Sequence, residues 1–288
     1  MQQLNLLLTS LPDGILLGFV YGVAAMGLTL IWGVMNVINL SHGPIIALGM
    51  FGTFILFIDM GINPYLGLLL IAALGLLLGV LIYFIAVHRV IDAPHLSSLL
   101  ATFSVNMIII GIGTAVFTTS PYNVDFNMGS FKLGSATILG TRLIAALIAI
   151  LFTGALYLFL YRTRPGKFIR AVTNNRDAAE LMGVPSTRIL ALSFGLGTML
   201  AAVSGALIAT FFPFSILSGG SYELKSFVIG VLGGLGNPIG ALAGGLILGV
   251  LEGIIPAFLN TSWVPVIEFG LFVVILLVRP NGLFGAKK

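Results

Sequence analysis

The stretch that decides how this chain folds runs from residue 162 to residue 188: Arg162-Thr-Arg164-Pro-Gly-Lys167-Phe-Ile-Arg170-Ala-Val-Thr-Asn174-Asn175-Arg176-Asp177-Ala-Ala-Glu180-Leu-Met-Gly183-Val-Pro185-Ser-Thr-Arg188. It holds six of the chain's 13 lysines and arginines, and no other stretch is polar enough to fold as a surface in water. Around it the sequence is 58% hydrophobic and 8% charged, with a mean hydropathy of +1.14. Soluble domains carry about 25% charged residues. The contrast predicts an all-α polytopic membrane protein whose one substantial loop meets a soluble partner. At roughly 20 residues per crossing, 288 residues hold eight to ten spans and no separate soluble domain. Zero cysteines exclude disulfides, thiolate metal sites and cysteine nucleophiles. Residues 1–13 lack a basic n-region and read as the approach to the membrane, not as a cleaved signal peptide.

Outward from the loop, apolar runs bounded by turns or charges predict spans at about 14–35, 43–59, 64–87, 95–117, 142–161, 189–211, 223–236, 238–256 and 262–279. The 223–236 run is too short to cross alone and is broken by Gly233-Gly234-Leu-Gly236-Asn237-Pro238. Basic residues near span ends mark the cytoplasmic side. Arg89, the six of the loop, Arg279, Lys287 and Lys288 make ten of the 13 cations. Nine spans with the N-terminus outside and the C-terminus in the cytoplasm place all ten inside. The 118–140 segment, with Tyr122, Asn123, Asp125 and Lys132, then falls outside. Charges confined to short loops between apolar spans argue against nucleic-acid binding.

The chain also matches itself. An offset of 177 residues aligns Gly18 with Gly195, Ala24-Ala25 with Ala201-Ala202 and Leu30-Ile31 with Leu207-Ile208. The same ungapped offset aligns Leu40-Ser41-x-Gly43 with Leu217-Ser218-x-Gly220, eight identities in 26 positions. Copies that start five spans apart are inverted relative to each other, as in many transporters, with the substrate route between the halves. The predicted domain is thus single, residues 1–288, with repeat halves at about 14–117 and 189–279 and the loop at 162–188.

Each half contains a polar break between apolar helices: Asn36-Val-Ile-Asn39-Leu-Ser41-His42-Gly43-Pro44, and Pro213-Phe-Ser215-Ile-Leu-Ser218-Gly219-Gly220-Ser221. Backbone groups freed at such a break cannot face lipid. Each break is either a tight turn at the surface or a discontinuous helix lining the substrate path. The path candidates are Asn36, Asn39, Ser41, His42, Asn106, Ser218 and Gly219. His42 reads either as a capping or packing residue or as a titrating one. Glu252 and Glu268 fall within apolar spans, where charge usually faces a bundle interior. Glu252 lies close enough to a span end to snorkel, and Lys225 reads as an interfacial anchor. Gly240-x-x-x-Gly244 and Gly245-x-x-x-Gly249 are faces for close helix approach. Gly233-x-x-Gly236 follows no strand, and no G-x-x-x-x-G-K-[ST] occurs, so any ATP is bound by another subunit. No metal site is expected.

Within the loop, Asn174 or Asn175 is placed to cap a short helix, Asp177 favours its dipole, and Gly183 with Pro185 stops it. Two turns are not stable alone in water, so the helix is expected to pack on something. Asp177-Ala178-Ala179-x-x-x-Gly183 resembles the EAA-x-x-x-G coupling motif of bacterial ABC importer permeases, with Asp in the Glu place. The 36–43 segment, Gly166-Lys167-Phe-x-Arg170-Ala171 and Val231-Leu-Gly233-Gly234-Leu-Gly236 resemble the branched-chain amino acid permease family, in its shorter, H-type subunit. The resemblance covers nearly the whole chain. It implies a bacterial inner-membrane subunit for leucine, isoleucine or valine import. Its partners would be a second permease, identical or paralogous, two cytoplasmic ATPases that use ATP and Mg, and an extracytoplasmic solute-binding protein. It assigns ATPase coupling to Asn175, Arg176, Asp177, Ala178, Ala179, Glu180 and Gly183, and no catalysis or cofactor to this chain. The family also handles urea, short amides and small organic acids. An ion-coupled secondary transporter and a passive channel are the readings outside it.

Overall fold

Asparagine and proline set several of the helix starts. Asn63 accepts the Tyr65 amide ahead of Pro64, and Asn237 accepts the Ile239 and Gly240 amides ahead of Pro238. Proline at the first helical position forgoes a donor that has no partner there anyway. The computed structural model describes residues 2–133, 136–279 and 281–285. Its helices are α1 (Gln2–Met35), α2 (His42–Ile58), α3 (Pro64–Ile82, continued by a π-helical turn, Tyr83–Val87), α4 (His95–Phe117), α5 (Gly140–Arg162), α6 (Arg164–Asn174), α7 (Arg176–Leu181), α8 (Ser186–Ile208), α9 (Ser218–Gly233), α10 (Pro238–Phe258) and α11 (Trp263–Val278). Six of these are long and apolar enough to cross a membrane. The 17 residues of α2 and 16 of α9 reach only about 25 Å, short of a hydrocarbon core of about 30 Å.

The expected spans agree with the helices to within a few residues, with three differences. First, α1 begins well before residue 14 and carries Pro12 inside it. Second, the 118–140 segment is not plain loop: β1 (Ser130–Leu133) pairs antiparallel with β2 (Ala136–Leu139), and Tyr122 bridges to Phe214. Third, α9 starts at Ser218, so part of the second polar break is helical. Lys287 and Lys288 lie outside the described residues.

Glycine decides which helices touch. On α10, Gly245, Gly249 and Gly253 lie against Gly18, Gly14 and the Ser10–Leu11 backbone of α1, running antiparallel, while Gly240 and Gly244 turn to Gly233 and Ile229 of α9. On the other side of the bundle α3 packs antiparallel on α8, Gly75 against Ala202 and Gly79 against Gly195. Small residues let backbones approach where lipid supplies no hydrophobic drive. These pairings match the internal repeat. An offset of 177 carries α1, α2 and α3 onto α8, α9 and α10, and so the α1–α10 contact onto the α8–α3 contact. The two contacts that map onto themselves, α1 with α8 and α2 with α9, mark the pseudo-two-fold axis.

The bundle has two distinct ends. Asp13, Arg142 and the hairpin share one. The other, the basic end, brings Gly33 of α1 against Gly236 and carries Arg89, α6, α7 and Arg279. Residues 281–285 fold back there on the 232–236 turn, with Leu283 donating to the Leu232 carbonyl at 2.8 Å.

Candidate functional site

The two polar breaks meet at the pseudo-two-fold axis. Helix α1 ends at Asn36, whose left-handed φ of 51° lets the chain turn back, a conformation asparagine tolerates. Asn39 Oδ1 accepts from the Ser41 amide at 3.1 Å and the Ser41 hydroxyl at 2.6 Å, closing the turn locally. Carbonyls freed by the break find donors on α4: Thr102 Oγ1 reaches Ile38 at 3.0 Å and Asn106 Nδ2 reaches Leu40 at 2.7 Å. At the start of α2, His42 Nε2 lies 3.0 Å from the Ala24 carbonyl of α1. A carbonyl only accepts, so that nitrogen carries the proton. Gly43 then touches Gly219, the second residue of α9: a Cβ built on Gly43 comes within 2.6 Å of the Gly219 oxygen. The Glu223 carboxylate of α9 lies against the same Gly43 backbone, an anion at the positive end of α2. In α9 the Ser218 hydroxyl accepts the Ser215 amide at 2.9 Å.

Asn39, Ser41, His42 and Gly219 are buried, and Asn106 joins them from α4. Ser218 is half-buried, with Gly220 and Ser221 exposed beside it. Asn36 stands apart, exposed, on a cavity of about 250 Å³ shared with Trp32, His95 and Ser98. The first break is thus buried between helices and meets the second at Gly219, while Pro213, Leu217, Gly220 and Ser221 of the second are exposed, and His42 packs against α1. Between Gly43 and Gly219 the two halves are in direct contact. Glu223 was not singled out from sequence, because its target lies 180 residues away in the other half.

At the basic end the loop forms two helices where one was expected. Thr163 caps α6 on the Gly166 amide at 3.1 Å; Ile169 and Val172 are buried, and Gly166 fits against the Phe159–Leu160 backbone of α5. Asn175 caps α7 on the Ala178 amide at 3.0 Å, Asp177 sits in its first turn, and Ala179 is buried beneath it. Gly183, at φ +82°, and the Val184 amide bonded to Ala179 end the helix. Arg176 pairs with Glu180 at 3.1 Å and with Asp92, beyond α3, at 2.7 Å. Partial desolvation lowers the pKa of its guanidinium, but the two carboxylates outweigh that and hold it above the usual value. Leu181 and Met182, at the tip of α7, are 88% and 85% exposed. The pairing with Asp92 and the bare apolar tip are features that spacing alone did not reveal.

Charges inside the bundle also find partners. Glu252 on α10 and Lys225 on α9 form an ion pair. Glu268 on α11, 2% exposed, faces both. Asp13 and Arg142 pair at 2.6 Å at the hairpin end, with Arg142 over the rings of Phe211 and Phe212. Among the described residues no cluster of three histidines and acids is placed to hold a metal ion.

The profile of a family described as "Branched-chain amino acid transport system / permease component" matches residues 10–276. The chain is 31% identical to the high-affinity branched-chain amino acid transport system permease protein LivH of Escherichia coli, covering 99% of this chain and 97% of that protein. It is 29% identical to the corresponding permease protein BraD of Pseudomonas aeruginosa, with 96% and 95% covered. It is also 31% identical to the ribose import permease protein RbsC of Escherichia coli, over 81% of this chain and 73% of that one.

Proposed function

Because this chain belongs to the branched-chain amino acid transport permease family, we propose that it is a membrane subunit of an ATP-driven importer for leucine, isoleucine and valine. The observation that carries the coupling part is α7: a capped, tethered helix at the basic end presenting bare Leu181 and Met182. Apolar side chains exposed in water mark a contact surface, and a groove on a cytoplasmic ATPase is the occupant that fits an importer subunit. Coupling then falls to Asn175, Arg176, Asp177, Ala178, Ala179, Glu180 and Gly183, and ATP and Mg are used by the partner ATPases. The basic end faces the cytoplasm of the inner membrane, and the hairpin end faces an extracytoplasmic binding protein and receives solute. A second permease, paralogous or identical, completes the pore. The break residues Asn39, Ser41, His42, Asn106, Ser218 and Gly219 form the gate between the halves, with Asn36 at its cytoplasmic mouth.

Uptake of labelled leucine by cells deleted for the gene and complemented with it tests this directly. Restored uptake, competed by isoleucine and valine but not by urea, acetamide or ribose, is the expected result. Competition by urea or acetamide instead would reassign the solute. Uptake that survives ATP depletion but not an ionophore would replace the importer with an ion-coupled transporter. In the same cells Leu181→Asp with Met182→Asp is expected to cut uptake at least tenfold at unchanged membrane abundance, because the charges sit where an apolar contact is needed.

A further inference from the structure

A groove of about 650 Å³ runs down the side of the bundle at its basic end, between α1, α5, α6 and α10. Met26, Leu30 and Val34 of α1 are its buried floor, and Ile150, Tyr157 and Ile239 are exposed on its rim. Its α5 wall, from Ile150 to Tyr161, is about 16 Å long. That is the depth of one leaflet of a hydrocarbon core of about 30 Å. Partway along this wall Gly154 leaves the groove open, since a Cβ built there meets nothing within 4 Å.

The polar groups gather where α6 crosses the groove. Arg170 is the one charged residue in the lining, and no carboxylate faces it there. Its guanidinium lies 4.5 Å from the centre of the Tyr161 ring, and its Nε donates to the Leu160 carbonyl at 3.2 Å. Both terminal amino groups are left without a partner among the described residues. The Tyr157 and Tyr161 rings lie 4.5 Å apart, and neither hydroxyl has a hydrogen-bond partner among the described residues. Arg164 and Lys167 are exposed at one-turn intervals before Arg170, and Arg162 ends α5. None of these four cations forms an ion pair among the described residues. No acidic residue occurs between Asp125 and Asp177 to balance them. An apolar furrow one leaflet deep, with tyrosines and unbalanced cations at one end, complements an amphiphile with an anionic head.

We infer that this groove binds one anionic phospholipid. An acyl chain lies past Gly154 between α1 and α5, and the phosphate sits on the terminal amino groups of Arg170, a geometry suited to two parallel hydrogen bonds. Tyr157 and Tyr161 donate to the phosphate or ester oxygens, and Lys167 and Arg164 attract the head over a longer range. The lipid braces α6, whose 11 residues are too few for stability of their own, against α5 and α1 just ahead of α7. The inference requires only that α1, α5 and α10 cross a membrane, so it stands apart from the solute and coupling readings.

Native mass spectrometry of the purified full chain, released from detergent containing equimolar phosphatidylglycerol and phosphatidylcholine with identical acyl chains, is the test. One phosphatidylglycerol per chain is expected to be retained, preferred over phosphatidylcholine by about fivefold or more. Arg170→Gln is expected to cut that preference by about fivefold. Gly154→Leu, which fills the furrow, is expected to lower retention of the lipid severalfold. Gly111→Leu, at an equally open glycine on α4, keeps it. Equal retention of phosphatidylcholine by the unaltered chain overturns the proposal, as does full phosphatidylglycerol binding in both Arg170→Gln and Gly154→Leu. Equal loss in Gly111→Leu makes the retention non-specific and overturns it. Displacement by excess inorganic phosphate makes Arg170 a site for the free anion and overturns the lipid assignment. A lipid-free dimer that Gly154→Leu dissociates makes the groove an interface between copies, with the same consequence. The comparison of the two lipids on the unaltered chain decides the matter even where a variant fails to fold.

Discussion

At the scale of single residues, the meeting of α2 and α9 depends on two hydrogen atoms. A Cβ on Gly219 would fall 2.6 Å from the Gly43 carbonyl carbon and 3.1 Å from the Pro44 nitrogen, whereas one on Gly220 meets nothing within 4 Å. Gly219→Ala is therefore expected to destabilise the chain by about 1–3 kcal/mol through overpacking. Gly220→Ala, one position along, is expected to be neutral, with thermal unfolding in detergent as the measurement. Ser41 is as fully buried as Gly43, so a bulky residue there reports on folding before it reports on transport. Asn106 acts through the Leu40 carbonyl: Asn106→Leu leaves that part-buried acceptor without its donor, at about 1 kcal/mol. Thr102, bonded to Ile38, holds the other carbonyl and remains as a partial tether.

At the scale of elements, α7 is six residues long and has no stability of its own. It is held by its Asn175 cap, by buried Ala179 and by Arg176 bridging to Asp92. Asp92 and Glu180 are well exposed, so these pairs stabilise by no more than about 1 kcal/mol. Reversing both charges of the Arg176–Glu180 pair is thus expected to leave the fold intact while setting Glu against Asp92 and shifting α7. Leucine uptake should fall severalfold with ATPase activity retained. If Arg176 works by positioning α7, then Arg176→Glu with Asp92→Arg recovers most of the uptake. If it works on the ATPase surface, the second change recovers nothing. The cap at Asn175 and the stop at Gly183 were legible because both are local. Helix α6 carries local signals as well, a Thr163 cap with Pro165 in its first turn and Phe168, Ile169 and Val172 at helical spacing, and the sequence reading passed it over.

At the scale of the whole molecule, a buried ion pair resists losing one member more than losing both. The Lys225–Glu252 pair is part-buried, so Lys225→Met alone, which leaves Glu252 and Glu268 facing each other, is expected to cost about 1–3 kcal/mol, less than for a fully buried pair. Adding Glu252→Gln should recover part of that loss, as read by thermal unfolding of the purified chain. The sequence by itself determined the fold class, the placement of the apolar helices and the self-match at an offset of 177. Each rests on hydropathy, turn chemistry or self-similarity along the chain, and an apolar run in lipid has no alternative to helix. It also marked the polar breaks and the basic loop as the places to look. Only the tertiary structure decided that the breaks close on each other through Gly43 and Gly219, that Arg176 reaches Asp92, and that Lys225, Glu252, Glu268 and Tyr21 form one cluster. The physical reason is that each of these contacts joins residues dozens to hundreds of positions apart. Their partners are chosen by which glycine faces let two helices approach, a property of the pair of helices and not of either sequence segment.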